Sequence, residues 1–136
     1  MSSAFIFAVC LRDQSWLAQL RSAESKHPLS WGLPGGRVEP EERPRAAAVR
    51  EFYEEVGVVV DPKAIHLILS RGGRSLYVWP VMEKFQADPN AAFAHESAAH
   101  VWMPLNYCPS PATKWLQKMH KEAVVAFNEA LAVANR

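Results

Sequence analysis

Six of the fourteen acidic residues crowd into one stretch, at Glu39, Glu41, Glu42, Glu51, Glu54 and Glu55. If that stretch is helical, Glu51 meets both Glu54 and Glu55, because residues three and four apart are neighbours on a helix surface. Each like-charge contact costs about 0.2–0.5 kcal/mol. Glu54 and Glu55 also fall in the last turn, where the helix dipole disfavours an anion by about 0.3–1 kcal/mol. Helix stability alone would place Lys or Arg there. Two readings account for the cluster. One is a solvated acidic face, partly neutralised by Arg50 four residues before Glu54. The other is a binding surface for a hard divalent cation, which takes oxygen ligands and cancels the repulsion. Pro34-Gly35-Gly36 favours the cation, since a glycine-rich turn offers a backbone carbonyl and leaves room for a phosphate.

The elements that must hold these carboxylates follow from periodicity and punctuation. A helix begins near Pro44, where a first-turn proline loses no hydrogen bond, and stops at Gly57, the usual place for a left-handed cap. Ala47, Ala48, Phe52 and Val56 form its buried stripe, and Glu51, Glu54 and Glu55 share another face. Ahead of it, Ala4–Leu11 and Trp16–Arg21 read as a hairpin and Trp31-Gly32-Leu33 as a short strand. Pro34-Gly35-Gly36 should break regular structure. Residues 58–70 and 76–86 read as two strands joined by a turn at Arg71-Gly72-Gly73-Arg74, with Pro80 marking an edge or a bulge. Residues 87–98 look like a loop and His100–Leu105 like a strand. From Pro111 to about Ala134, Trp115, Leu116, Met119, Ala123, Phe127, Ala130 and Leu131 recur at helical spacing.

At 136 residues, 49% hydrophobic and 21% charged, the chain suits one domain spanning 1–136 and excludes disordered and fibrous classes. A formal net charge of +1 supplies no field to draw the protein to duplex nucleic acid or a membrane, so a local site must choose any partner. Cys10 and Cys108 lack metal-ligand spacing, and the apolar run at residues 4–11 is too short to span a bilayer. A soluble, cytoplasmic protein is the expectation. The stripe on the last helix is most simply core, with a dimer contact as the alternative, which leaves monomer and homodimer both open.

With its spacing, the acidic segment runs Gly36, five residues, Glu42, seven residues, then Arg50-Glu51-Phe52-Tyr53-Glu54-Glu55-Val56-Gly57-Val58. This resembles the Nudix box, Gly-x5-Glu-x7-Arg-Glu-U-x-Glu-Glu-x-Gly-U with U apolar, at every defined position. Seven fixed residues at about 7% abundance each would coincide on the order of once in 10⁸ starting points. Similarity to Nudix hydrolases implies an α+β fold, an α/β/α sandwich with a mixed central sheet. It also implies a magnesium-dependent hydrolase, with manganese as a possible substitute, for a nucleoside diphosphate linked to another moiety.

Carried over by position, the resemblance makes Glu51, Glu54 and Glu55 the metal ligands, assisted by the Gly35 carbonyl. Arg50 would orient the carboxylates and Glu42 would brace the loop. A carboxylate must take a proton from the attacking water; Glu51 is the first choice, Glu55 the next, and Glu96, in the loop before a late strand, a further candidate. Arg21, Arg71 and Arg74 could grip phosphates with their guanidinium forks. Trp31, Tyr77, Trp79 and Phe93 could stack on a base, although strand aromatics are more often core. Thr113 stands where MutT-type enzymes use an asparagine for oxidised guanine, and a threonine cannot present that amide's paired donor and acceptor. The resulting expectation is a pyrophosphohydrolase for a nucleoside triphosphate or similar small nucleotide. The alternatives are a diphosphoinositol polyphosphate phosphohydrolase, suggested by the Glu39–Glu42 loop and Ala47–Glu51, and a nucleotide-binding sensor without turnover.

Overall fold

A computed structural model describes residues 2–26 and 28–134, so the ends of the domain expected over 1–136 lie outside the described residues. The strands are β1 (Ser3–Cys10), β2 (Ser15–Arg21), β3 (Trp31–Gly32), β4 (Gly35–Arg37), β5 (His66–Arg71), β6 (Arg74–Val81) and β7 (Ser97–Pro104). The helices are α1 (Pro44–Val56) and α2 (Lys114–Ala134).

The seven strands form one mixed sheet along the path β3-β2-β1-β6-β5, with β4 paired to β1 and β7 to β2. β1 runs parallel to β6 from Ser3 opposite Arg74 to Cys10 opposite Val81. The hairpin of β1 and β2 closes over two rungs only, Val9 with Trp16 and Cys10 with Ser15. Beyond them the two strands part. β1 takes β4 as its neighbour, Phe5 opposite Gly35, while β2 takes β7, Gln19 opposite His100. The sheet is therefore split between β1 and β2, and a side chain from the helix above can enter the split.

Alternation along β1 sorts the core into two layers, because successive strand residues face opposite sides. Ala4, Ile6 and Ala8 pack with Ala47, Ala48, Phe52 and Val56 of α1, whereas Phe7 and Val9 pack with Leu116, Ala123 and Phe127 of α2. One helix thus covers each face, giving the α+β sandwich the sequence implies. Phe52 is fully buried, which stabilises the α1 docking by about 1.5–3 kcal/mol.

Several local expectations change. Gly35 and Gly36 do not interrupt regular structure; they form β4, since without side chains this segment can lie against the β1 backbone. The strand expected over 58–70 shrinks to His66–Arg71, because the Asp61 side chain accepts the Lys63 amide (2.9 Å) and sets a 3-10 turn over Pro62–Ala64. The next strand is Arg74–Val81 and lies between β1 and β5 rather than at an edge. Leu11 N–H donates to Val81 O (2.8 Å), so Pro80 turns the other way, beyond the start of β5 at His66 opposite Val78. The missing proline N–H leaves no gap in the ladder. The bulge lies in β5, between Leu67 and Leu69. The strand expected from His100 starts earlier, at Ser97, α2 starts only at Lys114, and Ala130 is exposed rather than core.

Candidate active site

α1 is held at its C-terminal end by a loop. Gly57 takes the left-handed conformation (φ +81°) and its N–H donates to Tyr53 O (2.9 Å), closing the helix. The Glu54 and Val56 carbonyls, left free by helix termination, accept the amides of Phe93 (2.8 Å) and Asp88 (2.7 Å). This staples residues 88–96, and with them Glu96, to the acidic end of α1. A Cβ at Gly57 would lie 2.4 Å from Asp88 Cβ, so glycine is needed for the closeness as well as for the φ angle.

Arg50 is the hub of the carboxylates. Its Nε and Nη2 donate to the two Glu42 oxygens at 2.8 and 2.9 Å, a bidentate pair that ties the loop before α1 to the helix. Nη1 reaches Glu51 (3.0 Å) and Glu54 (3.3 Å), and Nη2 also donates to Arg37 O (3.0 Å). The guanidinium holds the Glu42 carboxyl down at a pKa of about 2, and the carboxylates push the Arg50 pKa up. Gly36 completes this region by vacancy of its own side chain: a Cβ there would sit 2.6 Å from Glu51 Cδ, so glycine lets the Glu51 carboxylate lie against the β4 backbone.

Glu55 behaves differently from the polar-face residue expected. It is 6% exposed and enters the split in the sheet, where its Oε1 accepts the Gly35 amide from β4 (3.0 Å) and the Gln19 side-chain amide from β2 (3.4 Å). Burial, opposed by the Gly35 amide and reinforced by the Glu51 charge, pushes its pKa up to about 8. Burial likewise raises the Glu51 pKa, against the pull of Arg50. Gln19 in turn accepts from His100 Nε2 (2.7 Å), and burial lowers the His100 pKa to about 4, keeping that ring neutral.

Glu51 and Glu55, made more basic by burial and neighbouring charge, bring with Glu54 the kind of oxygen donors a hard divalent cation needs, and binding one would relieve the cost of ionising the first two. Among the described residues, no three acidic, histidine or cysteine side chains converge on one point. Glu51 and Glu54 lean instead on Arg50, which supplies the positive charge.

Two cavities adjoin the cluster. One, of about 410 Å³, is lined by Glu55, Asp88, Ser97 and His100 among others; the second, of about 340 Å³, by Arg21, Glu24, Lys26 and Glu96. His95 belongs to both walls. Glu96 is exposed on the 3-10 turn Ala94–Glu96, near enough that its charge helps raise the pKa of both Glu51 and Glu55. Arg21 and Ser97 oppose each other across β2 and β7, and Arg21 Nε and Ser97 Oγ are buried without a hydrogen-bond partner.

A family model described as the NUDIX domain matches residues 2–123. The chain belongs to the NUDIX domain family. It is 48% identical to diphosphoinositol polyphosphate phosphohydrolase 2 of Mus musculus over 50 residues, 37% of this chain and 28% of that protein. A human relative, diphosphoinositol polyphosphate phosphohydrolase 3-alpha, matches at the same identity over the same length, 30% of its own. The matched stretch thus spans under a third of these relatives. Among solved structures, the MutT NUDIX hydrolase from Burkholderia pseudomallei superposes with a TM-score of 0.64 at 21% identity, covering 90% of this chain and 98% of that one. The E. coli dihydroneopterin triphosphate pyrophosphohydrolase gives 0.68 at 18% identity, with coverages of 91% and 94%. At these identities the likeness is one of fold, and it agrees with the Nudix sandwich.

The Nudix fold separates some residues that the sequence grouped. Arg71 pairs with Glu122 of α2 (2.9 Å), and both Arg71 and Arg74 are exposed at the β5–β6 turn, outside the walls of the two cavities beside the carboxylates. The Thr113 hydroxyl accepts the Leu116 amide (3.2 Å) as the cap of α2. Tyr77 is buried beneath the Arg45 guanidinium, and Trp79 packs on Phe52 and Phe85, so both are core. Phe93 stays 41% exposed beside His95. Sequence reasoning missed Gln19 and Ser97. The available signal for Gln19 was a lone amide inside the apolar run of β2.

Proposed function

We propose that this chain hydrolyses a phosphoanhydride bond in a nucleoside triphosphate or another small molecule linked through a nucleoside diphosphate, using Mg2+ or Mn2+. The observation that carries the reading is that the C-terminal end of α1 holds Glu51 and Glu54 on Arg50 and, beside them, Glu55 in the wall of the cavity it shares with His100. Those three carboxylates, with the Gly35 carbonyl, would hold the cation. When bound, it supplies Lewis-acid polarisation of phosphate oxygens and makes water more acidic.

The chain's own groups do the rest. Arg50 keeps its bidentate hold on Glu42 while releasing Glu51 and Glu54, so the helix stays docked as the ligands rearrange. Glu51, made more basic by burial, takes the proton of the attacking water, a role worth about 10²–10⁴ in rate; Glu96 is the alternative base, carried to the site by the stapled loop. Arg21, in the wall of the smaller cavity, grips a substrate phosphate with its guanidinium fork. Arg71 and Arg74 would add to phosphate binding only for a substrate long enough to reach the β5–β6 turn, and Thr113 would bear on specificity through the placement of α2. The protein acts in the cytoplasm, as a monomer or a homodimer.

The local 48% identity favours a second substrate class, diphosphoinositol polyphosphates. Against it, the smaller cavity balances Arg21 and Lys26 with Glu24 and Glu96, a weak basic field for so anionic a ligand. A panel of nucleoside triphosphates, dinucleotides, nucleotide sugars and diphosphoinositol polyphosphates, assayed with Mg2+ and again with a chelator, separates the classes. Magnesium-dependent release of a phosphorylated product from a nucleotide, lost in Glu54→Gln, is the expected result. Tight binding without product across the panel, or turnover untouched by Glu54→Gln, contradicts the proposal.

A further inference from the structure

We propose that Gln19, held by His100, is a positioning residue that fixes the Glu55 carboxylate for a divalent cation, an inference that rests on the metal-dependent reading above. Gln19 is 3% exposed in a strand whose neighbouring positions are apolar. An amide buried without partners is costly, so both ends of this one need them. Both have them: Nε2 faces Glu55 Oε1 at 3.4 Å and Oε1 faces His100 Nε2 at 2.7 Å.

The chemistry fixes the direction of the chain. The ionised Glu55 that a cation binds only accepts, so in that state the Gln19 NH2 must face Glu55, its carbonyl must face His100, and the neutral ring must carry its hydrogen on Nε2. A flipped amide would set oxygen against oxygen at Glu55. Gln19 and the Gly35 amide both donate to Glu55 Oε1, which leaves Oε2 free of both donors on a residue that lines a cavity with His100. Groups that orient a metal ligand in this way change metal affinity by about 10–100-fold when removed.

The test is direct Mn2+ binding, followed by electron paramagnetic resonance without substrate, on the wild type, Gln19→Leu, His100→Phe and the double variant. Thermal midpoints in chelator report folding separately. Gln19→Leu is expected to raise the Mn2+ Kd by about 10–100-fold, and its lost turnover should return at correspondingly higher Mg2+, which a merely structural lesion would not show. His100→Phe should raise Kd by a smaller factor. The double variant should match Gln19→Leu alone, because His100 acts through the amide. Folded variants that bind Mn2+ like the wild type, or single effects that multiply in the double variant, overturn the inference. If Gln19→Leu does not fold, His100→Phe decides: an unchanged Kd overturns the inference and a raised one supports it. Wild-type protein that binds no Mn2+, or binds it with an affinity indifferent to Glu55→Gln, overturns the metal-dependent reading itself. Binding sensitive to Glu55→Gln but not to Gln19→Leu removes only the role of Gln19.

Discussion

Glu55 shows how far a single residue's surroundings can move its chemistry. Its folded pKa of about 8 lies above the ordinary carboxyl value of 4.5, so the protonated form is favoured by folding. The stability this contributes is fully present below pH 4.5 and is lost as pH rises through 8, which makes the metal-free protein less stable across that window. A cation must displace the proton, so Mn2+ affinity should climb with pH and level off above about 8. Calorimetry in two buffers of different ionisation enthalpy should detect proton release near pH 7, and Glu55→Gln should abolish it. Arg50 supports a second expectation. Arg50→Lys keeps the charge but loses the fork on Glu42, and urea denaturation should show a loss of about 1–3 kcal/mol. The Arg50 and Glu54 relationship was legible in the sequence, because spacing of four on a helix makes them neighbours. The burial of Glu55 was not, since it depends on a split in the sheet that no local pattern encodes.

At the scale of elements, the site is an arrangement of backbone approaches. α1 could be read nearly to the residue, because Pro44 and Gly57 punctuate it and the buried stripe is strong. β4 could not: a glycine pair reads as a break, and only the neighbouring β1 backbone turns it into a strand. The same glycines make sharp tests. Gly57→Ala must adopt a left-handed backbone and push against Asp88, so a destabilisation of at least about 1–2 kcal/mol is expected. It should also loosen the 88–96 loop, seen as faster amide exchange at Phe93 and Asp88. Gly36→Ala drives a methyl into the Glu51 carboxylate. That variant should stay folded by circular dichroism while losing Mn2+ binding, and unaltered binding would count against the placement of Glu51.

For the molecule as a whole, the two helices clamp a sheet whose parting between β1 and β2 lets one acidic side chain reach both β2 and β4. The uninterrupted apolar run of residues 4–11 does not tell one face from the other, so the two-layered core was legible only through the Nudix resemblance. Strand order and the partners of β4 and β7 come from long-range pairing, which periodicity leaves open. A ligand that binds only the folded state stabilises it by mass action. Magnesium at 100 times its Kd should therefore add about 2.7 kcal/mol and raise the Tm by roughly 10 °C, an increase that a chelator reverses and Glu54→Gln prevents. The most direct measurement is anomalous diffraction from crystals soaked in Mn2+. A peak bonded to oxygens of Glu51, Glu54 and Glu55, with the first two turned off an Arg50 that still holds Glu42, is the expected result. Ordered carboxylates still resting on Arg50, with no peak among them at saturating Mn2+, would contradict the account.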